Sequence, residues 1–211
     1  MEPTDDEKYT FETFHGFVRD VADAVILIEA CIRGILTPFN GGRGIAIRSG
    51  SVVVFPEGTG HITRWTDGER WSSSRSHGPF LLYREIESDR GETKELIEEE
   101  VIPGLEPPFN ERSLKVNTRL VANGLTKKTI SMTASDGLKY RVVCYYNRDE
   151  VSYLYNVLPK REGMKRLFTP SMTKKLVQFA RGEKNNPSAS PLLALAVAKL
   201  NGYRANGSFN P

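Results

Sequence analysis

Leu125-Thr126-Lys127-Lys128-Thr129-Ile130-Ser131-Met132-Thr133, a break at Ala134-Ser135-Asp136-Gly137, and Leu138-Lys139-Tyr140-Arg141-Val142-Val143-Cys144-Tyr145-Tyr146 decide the fold class of this chain. Both runs alternate with period two, so their side chains fall alternately on two faces of a pleated strand. Ile130 and Met132 point one way, and Leu138, Tyr140 and Val142 answer them across the pair. Ser135-Asp136-Gly137 supplies the turn, because glycine accepts the positive φ that tight hairpins need. A long antiparallel hairpin is therefore expected.

Working outward, Ser51 to Phe55 and Phe80 to Arg84 read as buried strands, and His61 to Trp65 as a short extended segment ended by Asp67-Gly68. Val21, Val25, Ile28 and Ile32 recur at helical spacing, with Asp20 placed to cap the helix and Gly34 to end it. Two more helices are expected at Ser171 to Ala180 and Ser190 to Leu200. The second has Ser190 at its cap, Pro191 at its first position and Gly202 past its end. The predicted fold is α+β, a single domain with a largely antiparallel sheet built from two sequence regions and flanked by helices. Region one covers residues 14–85 and region two 112–170, within a domain of 10–170. Residues 86–111 read as an acidic linker carrying a helical piece near Thr93 to Val101, and 171–211 as a helical extension.

The formal charge of +3 hides a strong segregation. Residues 86–111 hold nine acidic and two basic groups, which leaves 27 basic against 17 acidic in the rest of the chain. A basic scaffold of that kind suits a polyanion, though a solvated basic surface has the same composition. The widest apolar window, Ala189 to Leu200, is too short to span a bilayer. No charged start followed by an apolar stretch opens the chain, so no secretory signal and no membrane partner are expected. Cys31 and Cys144 sit inside apolar runs with no pairing pattern and read as reduced core thiols, with no metal or other cofactor implied.

The densest chemistry lies in Ile62-Thr63-Arg64-Trp65-Thr66-Asp67-Gly68-Glu69-Arg70-Trp71-Ser72-Ser73-Ser74-Arg75-Ser76-His77, which holds both tryptophans. Arginine reaches a guanine edge with two parallel bonds or neutralises phosphate, and hydroxyls position the backbone. Arg64, Trp65, Thr66, Asp67, Arg70, Ser72, Ser74 and Arg75 are the candidate contacts, with Asp67 bracing an arginine or accepting from a cytosine amino group. Trp71 reads as support beneath them. Three lesser candidates are Arg43 in Asn40-Gly41-Gly42-Arg43-Gly44, Arg48-Ser49 before the first long strand, and Lys127-Lys128 in the hairpin. An arginine between glycines suits a narrow A·T-rich minor groove, whereas lysines on a strand also serve as edge guards.

Several blocks together resemble a known family. His15-Gly16, the helix block Leu27-Ile28-Glu29-Ala30-Cys31-Ile32-Arg33-Gly34-Ile35-Leu36, Ile47-Arg48-Ser49-Gly50-Ser51-Val52, Arg64-Trp65-Thr66-Asp67-Gly68, Trp71-Ser72-Ser73-Ser74-Arg75 and Phe80-Leu81-Leu82-Tyr83-Arg84-Glu85 are similar to the first region of the WOPR family of fungal transcription regulators. Gly124-Leu125-Thr126-Lys127-Lys128-Thr129-Ile130-Ser131 and Tyr140-Arg141-Val142-Val143-Cys144-Tyr145-Tyr146 resemble its second. The resemblance implies a nuclear regulator of morphological or developmental switching that reads A·T-rich double-stranded DNA, alongside other transcription regulators. Arg43 is then assigned to the minor groove and the tryptophan loop to the major groove.

Two other classes compete. His15 and Asp20 fit a His-x-x-x-x-Asp acyltransferase pattern, with Phe55-Pro56-Glu57-Gly58-Thr59 as its phosphate block and His15 as general base. A binding module without DNA contact would instead use apolar faces of the C-terminal helices. The arginine and serine cluster argues for the nucleic-acid reading, with no enzyme activity expected.

Overall fold

In a computed structural model, residues 11–41, 46–58, 62–88, 101–109, 114–159, 161–186 and 188–205 are described. In chain order the strands are β1 (Phe14–His15), β2 (Ser51–Pro56), β3 (Arg75–His77), β4 (Phe80–Arg84), β5 (Ile86–Ser88), β6 (Thr118–Leu120), β7 (Thr126–Thr133) and β8 (Lys139–Tyr146). The main helices are α1 (Val21–Ile32), α2 (Lys174–Glu183) and α3 (Pro191–Ala205), with a single helical turn at Arg148–Val151.

The β7–β8 hairpin forms as its alternation requires, in antiparallel register from Thr126 opposite Tyr146 to Thr133 opposite Lys139. It occupies the middle of a six-stranded sheet of order β1-β2-β8-β7-β4-β3. Region two thus fills the gap between β2 and β4 of region one, with Val52 opposite Cys144 and Leu82 opposite Lys128. Neither region can close this sheet without the other, which makes the fold one domain.

The pleat divides the molecule into two layers. Val52, Val54, Leu82, Ile130, Val142, Cys144 and Tyr146 face one way and pack under α1, α2 and α3. Val53, Phe55, Val143 and Tyr145 face the other way, where Phe39, Trp65 and Trp71 cover them. Asp20 caps α1 by accepting from the Ala22 and Asp23 amides, and Gly34 follows its end at φ 69°. Ser190 accepts from the Leu192 amide at 3.2 Å to start α3. That helix runs through Gly202 to Ala205 instead of stopping before Gly202. One interior glycine costs a helix only about 1 kcal/mol and does not end it.

The acidic segment is not a linker throughout. Its first residues form β5, which pairs with β6 from Ile86 opposite Leu120 to Ser88 opposite Thr118. Near its other end Ile102, Leu105 and Glu106 are buried. Glu106 accepts from Arg84 Nη1 at 3.2 Å and Thr126 Oγ1 at 3.3 Å, and also pairs with Arg148. A carboxylate taken out of water needs such partners, so this stretch is fixed to the helix side of the sheet. The expected helical piece near Thr93 to Val101 falls outside the described residues apart from Val101.

The C-terminal helices are likewise part of the core. Leu176, Ala180, Leu193, Ala196, Val197 and Leu200 are buried in the same cluster as α1. Lys199 Nζ reaches Asp20 at 2.8 Å, and Arg33 pairs with Glu183 at 3.3 Å. One apolar face of each closes the core, while Leu192 and Leu195 of α3 stay exposed. Among the described residues, no helix is long and apolar enough to cross a membrane, and no cluster of side chains could hold a metal ion.

Candidate nucleic-acid interface

The segment 62–74 lies on the sheet face opposite the helices, apart from one bridge between Glu57 and Ile62 and another between Trp71 and Glu85. It is irregular, so the extended segment expected at His61 to Trp65 is reduced to that single bridge; His61 is outside the described residues. Two indoles hold it down. Trp65 stacks on Phe55 at 5.4 Å and 21°, and meets Phe39 edge-on at 5.4 Å. Trp71 is buried and packs against Tyr145 at 5.8 Å.

Between the tryptophans sits Asp67, 8% exposed. Its carboxylate accepts from Trp71 Nε1 at 2.9 Å, Tyr145 Oη at 2.6 Å and Lys127 Nζ at 3.0 Å. Tyr145 Oη in turn accepts from Trp65 Nε1 at 2.5 Å. Burial raises the Asp67 pKa, but the bonds from Tyr145 and Trp71 and the Lys127 charge outweigh it, so the group is held below its usual range. Gly68 follows at φ 80°, where a side chain would be strained, and turns the chain back towards Trp71. Asp67 therefore organises the loop from beneath; it braces Lys127 and the aromatics, neither Arg64 nor Arg70.

This anchoring sorts the expected contact residues. Arg64, Thr66, Arg70 and Ser74 are exposed on the outer surface of the loop. Arg64 makes no ion pair among the described residues, and Arg70 donates to Ser88 Oγ at 2.7 Å. Arg75 is half-buried on the edge strand β3 and has partners inside the fold. Ser72 is buried, its amide and hydroxyl clamping Arg84 across the bridge at 2.9 and 3.0 Å. Trp65, Asp67 and Ser72 are supports of the loop instead of outward contacts.

The two lysines of the hairpin point to opposite faces, as neighbours on a strand must. Lys127 lies on the loop face, paired with Asp67 and placed 4.4 Å above the Trp71 ring and 5.1 Å from Tyr83. Burial lowers its pKa, with Asp67 acting in the other direction. Lys128 lies on the helix face, 2% exposed, donating to the Arg19 carbonyl at 2.8 Å and 4.2 Å from the Phe80 ring. Burial pushes its pKa down from 10.5 to about 8. Lys128 is sealed from a phosphate, and the Lys127 charge is taken up by Asp67, so neither supplies the free surface ammonium that a backbone contact would use.

Arg48 and Ser49 are also structural. Arg48 makes a two-pronged pair with Glu12, both bonds at 3.0 Å. Glu12 is raised by burial but lowered more by His15, Arg48 and Ser51, ending at about 2. Ser49 binds Glu150 and accepts from the Asn147 amide at 2.7 Å. Gly50 beside it has φ 94° and lies so close to the His15 ring that a Cβ would be 2.4 Å from it. Arg43, in the Gly41 to Gly44 loop, falls outside the described residues.

The acyltransferase constellation dissolves into separate tasks. His15 stands 3.5 Å from Glu12, Asp20 caps α1, and Glu57 holds Arg141 and accepts from Ser131 at 3.0 Å.

Sequence reading missed one cationic position, Lys115. It shares a cleft of about 360 Å³ with Glu69, Arg70, Trp71, Ser72, Tyr83, Ile86 and Lys127. Lying just after the start of region two, in no recognisable motif, it carried no local signal.

The architecture is thus an α+β domain with a basic loop nailed to the free face of its sheet. Residues 13–103 match the Gti1/Pac2 family. The global transcription regulator FGP1 of Gibberella zeae is 33% identical over 180 residues, covering 66% of this chain and 52% of that protein. The cAMP-independent regulatory protein pac2 of Schizosaccharomyces pombe is 42% identical over 83 residues, covering 37% of this chain and 35% of its own length. The WOPR domain of Wor1 from Candida albicans, solved with a 17-base-pair duplex, superposes with a TM-score of 0.53 at 25% identity, covering 88% of this chain and 98% of that one. This chain carries a Gti1/Pac2 (WOPR) family domain. It spans about half the length of FGP1 and of the sge1 regulators that it also matches.

Proposed function

We propose that this chain is a sequence-specific duplex-DNA-binding transcription regulator that acts in the nucleus on an A·T-rich site. The observation that carries the reading is the division of the loop 62–74. Trp65, Asp67 and Trp71 face inward and fix the backbone, while Arg64, Thr66, Arg70 and Ser74 stand exposed on its outer surface. A pre-organised row of donors loses little entropy on binding, which suits contacts to base edges and to the phosphates beside them. The regulator names of the relatives and the duplex-bound structural neighbour support the same reading. Arg43 retains its assignment to the minor groove, and Arg75 to the flank of the loop. The relatives' names as transcription regulators favour a binder over an enzyme.

Selection of sites from random duplex DNA tests this directly. One enriched A·T-rich motif is expected, and Arg64→Ala is expected to lose discrimination by about 1–3 kcal/mol at one position of it. Equal affinity for the selected and a scrambled duplex, with Arg64→Ala indistinguishable from the unaltered chain, refutes the reading.

A further inference from the structure

Beside the loop, the cleft of about 360 Å³ brings together side chains from three parts of the sequence: Glu69 to Ser72, Tyr83 and Ile86, and Lys115 with Lys127. Its floor is aromatic, formed by Trp71 and Tyr83, with Lys127 between the rings and neutralised by Asp67. Its mouth carries two further cations, Arg70 and Lys115, both exposed. Lys115 makes no side-chain bond or ion pair among the described residues. Among the described residues, the Arg70 side chain bonds only a neutral hydroxyl, that of Ser88. One exposed carboxylate, Glu69, faces them.

The backbones under the two cations are tied together. The Arg70 carbonyl accepts from the Ile86 amide at 3.0 Å, which joins it to β5. β5 pairs with β6. The Lys115 carbonyl accepts from the Thr118 amide at 3.2 Å and the Thr118 hydroxyl at 2.7 Å, closing a turn through Asn117 at φ 57°. Arg70 and Lys115 are therefore held at the two ends of one short ribbon. Exposed cations on fixed backbone, with no carboxylate partner among the described residues, are suited to a phosphate diester, which both can approach from the solvent side.

We infer that Lys115 and Arg70 form a seat for a backbone phosphate of the bound duplex, with Lys115 a positioning residue that sets register without reading sequence. This rests on the DNA-binding reading above and adds a contact from region two to an interface otherwise made by region one. Glu69 repels the same phosphate, so the seat favours a diester carrying one charge over a free phosphate dianion.

The test measures duplex affinity against salt for the whole chain and for Lys115→Ala. Each released counterion contributes about 0.9 to the slope of log affinity against log salt, so the variant is expected to be shallower by about that amount. Its base preferences and melting temperature should be unchanged, because Lys115 reads no base and supports no packing. In duplexes with one neutral methylphosphonate linkage, a single position should weaken the unaltered chain and leave Lys115→Ala unaffected. An unchanged slope in Lys115→Ala overturns the seat while leaving the DNA-binding reading intact. If inorganic phosphate alone shifts the Arg70 and Lys115 side-chain resonances and that slope is unchanged, the cleft holds a free anion. Absence of duplex binding by the unaltered chain removes both readings together.

Discussion

At Asp67 a short carboxylate does the work that two tryptophans and a lysine need done. It is the acceptor that allows Trp71, Tyr145 and Lys127 to be buried together on one sheet face. Asp67→Ala leaves the Lys127 ammonium without its counter-charge inside that layer, an expected loss of about 3–5 kcal/mol, measurable by urea unfolding. The acid response has a definite sign. The folded pKa lies below the unfolded one, so the stabilisation is full above the ordinary carboxylate range and fades as pH falls through the folded value. Asp67→Asn should accordingly flatten the acid limb of the unfolding curve. A variant that keeps the full acid limb assigns the loss to other carboxylates, Glu12 first among them. The role of Asp67 was not readable from its neighbours: its partners lie 4, 60 and 78 positions away.

On β7 the consecutive lysines show what an element's pattern tells and what it withholds. The alternation of 125–133 and 138–146 revealed the hairpin, because a half-buried strand must repeat every two residues, but not that it sits in the middle of the sheet. The same rule states that Lys127 and Lys128 face opposite ways. It does not state that both faces are covered, one by helices and the other by the tryptophan loop, and that long-range fact buries Lys128 and sets Lys127 against Asp67. Composition made them look like phosphate contacts; burial makes them structural. The linker expectation for 86–111 failed in the same manner, since acidic composition cannot reveal that Glu106 meets Arg84 and Arg148 beneath the sheet. Lys128→Met should then hold or raise stability, because an apolar chain of similar volume replaces a charge whose burial is costly. With a folded pKa near 8 against 10.5 unfolded, the burial cost is greatest below pH 8 and eases as pH rises towards 10.5. Melting curves of the unaltered chain should rise over that interval and those of Lys128→Met should not, with the salt slope of duplex binding equal for both.

The whole molecule keeps its helical core and the proposed DNA-binding surface on opposite sides of one sheet. On the helix side, α1, α2, α3 and the buried end of the acidic segment close the core, with Glu106 shared between two arginines and Thr126. On the other side, the loop 62–74 and Lys115 present cations to solvent over a layer of aromatic rings. The parity of the strands enforces the separation, since Thr126, Lys128 and Ile130 belong to the helix side and Lys127 and Tyr83 to the loop side. A change at Glu106 should therefore act on folding alone. Glu106→Gln keeps an acceptor for Arg84 and Thr126 but removes the charge that offsets two buried guanidinium groups, an expected cost of about 3–5 kcal/mol. Duplex affinity and base preference, measured well below the lowered melting temperature, should match those of the unaltered chain. Arg64→Ala should do the reverse, losing discrimination without a change in melting. If Glu106→Gln alters base preference while the chain remains folded, the two faces are coupled through the sheet, and the loop is positioned from the helix side as well as by its tryptophans.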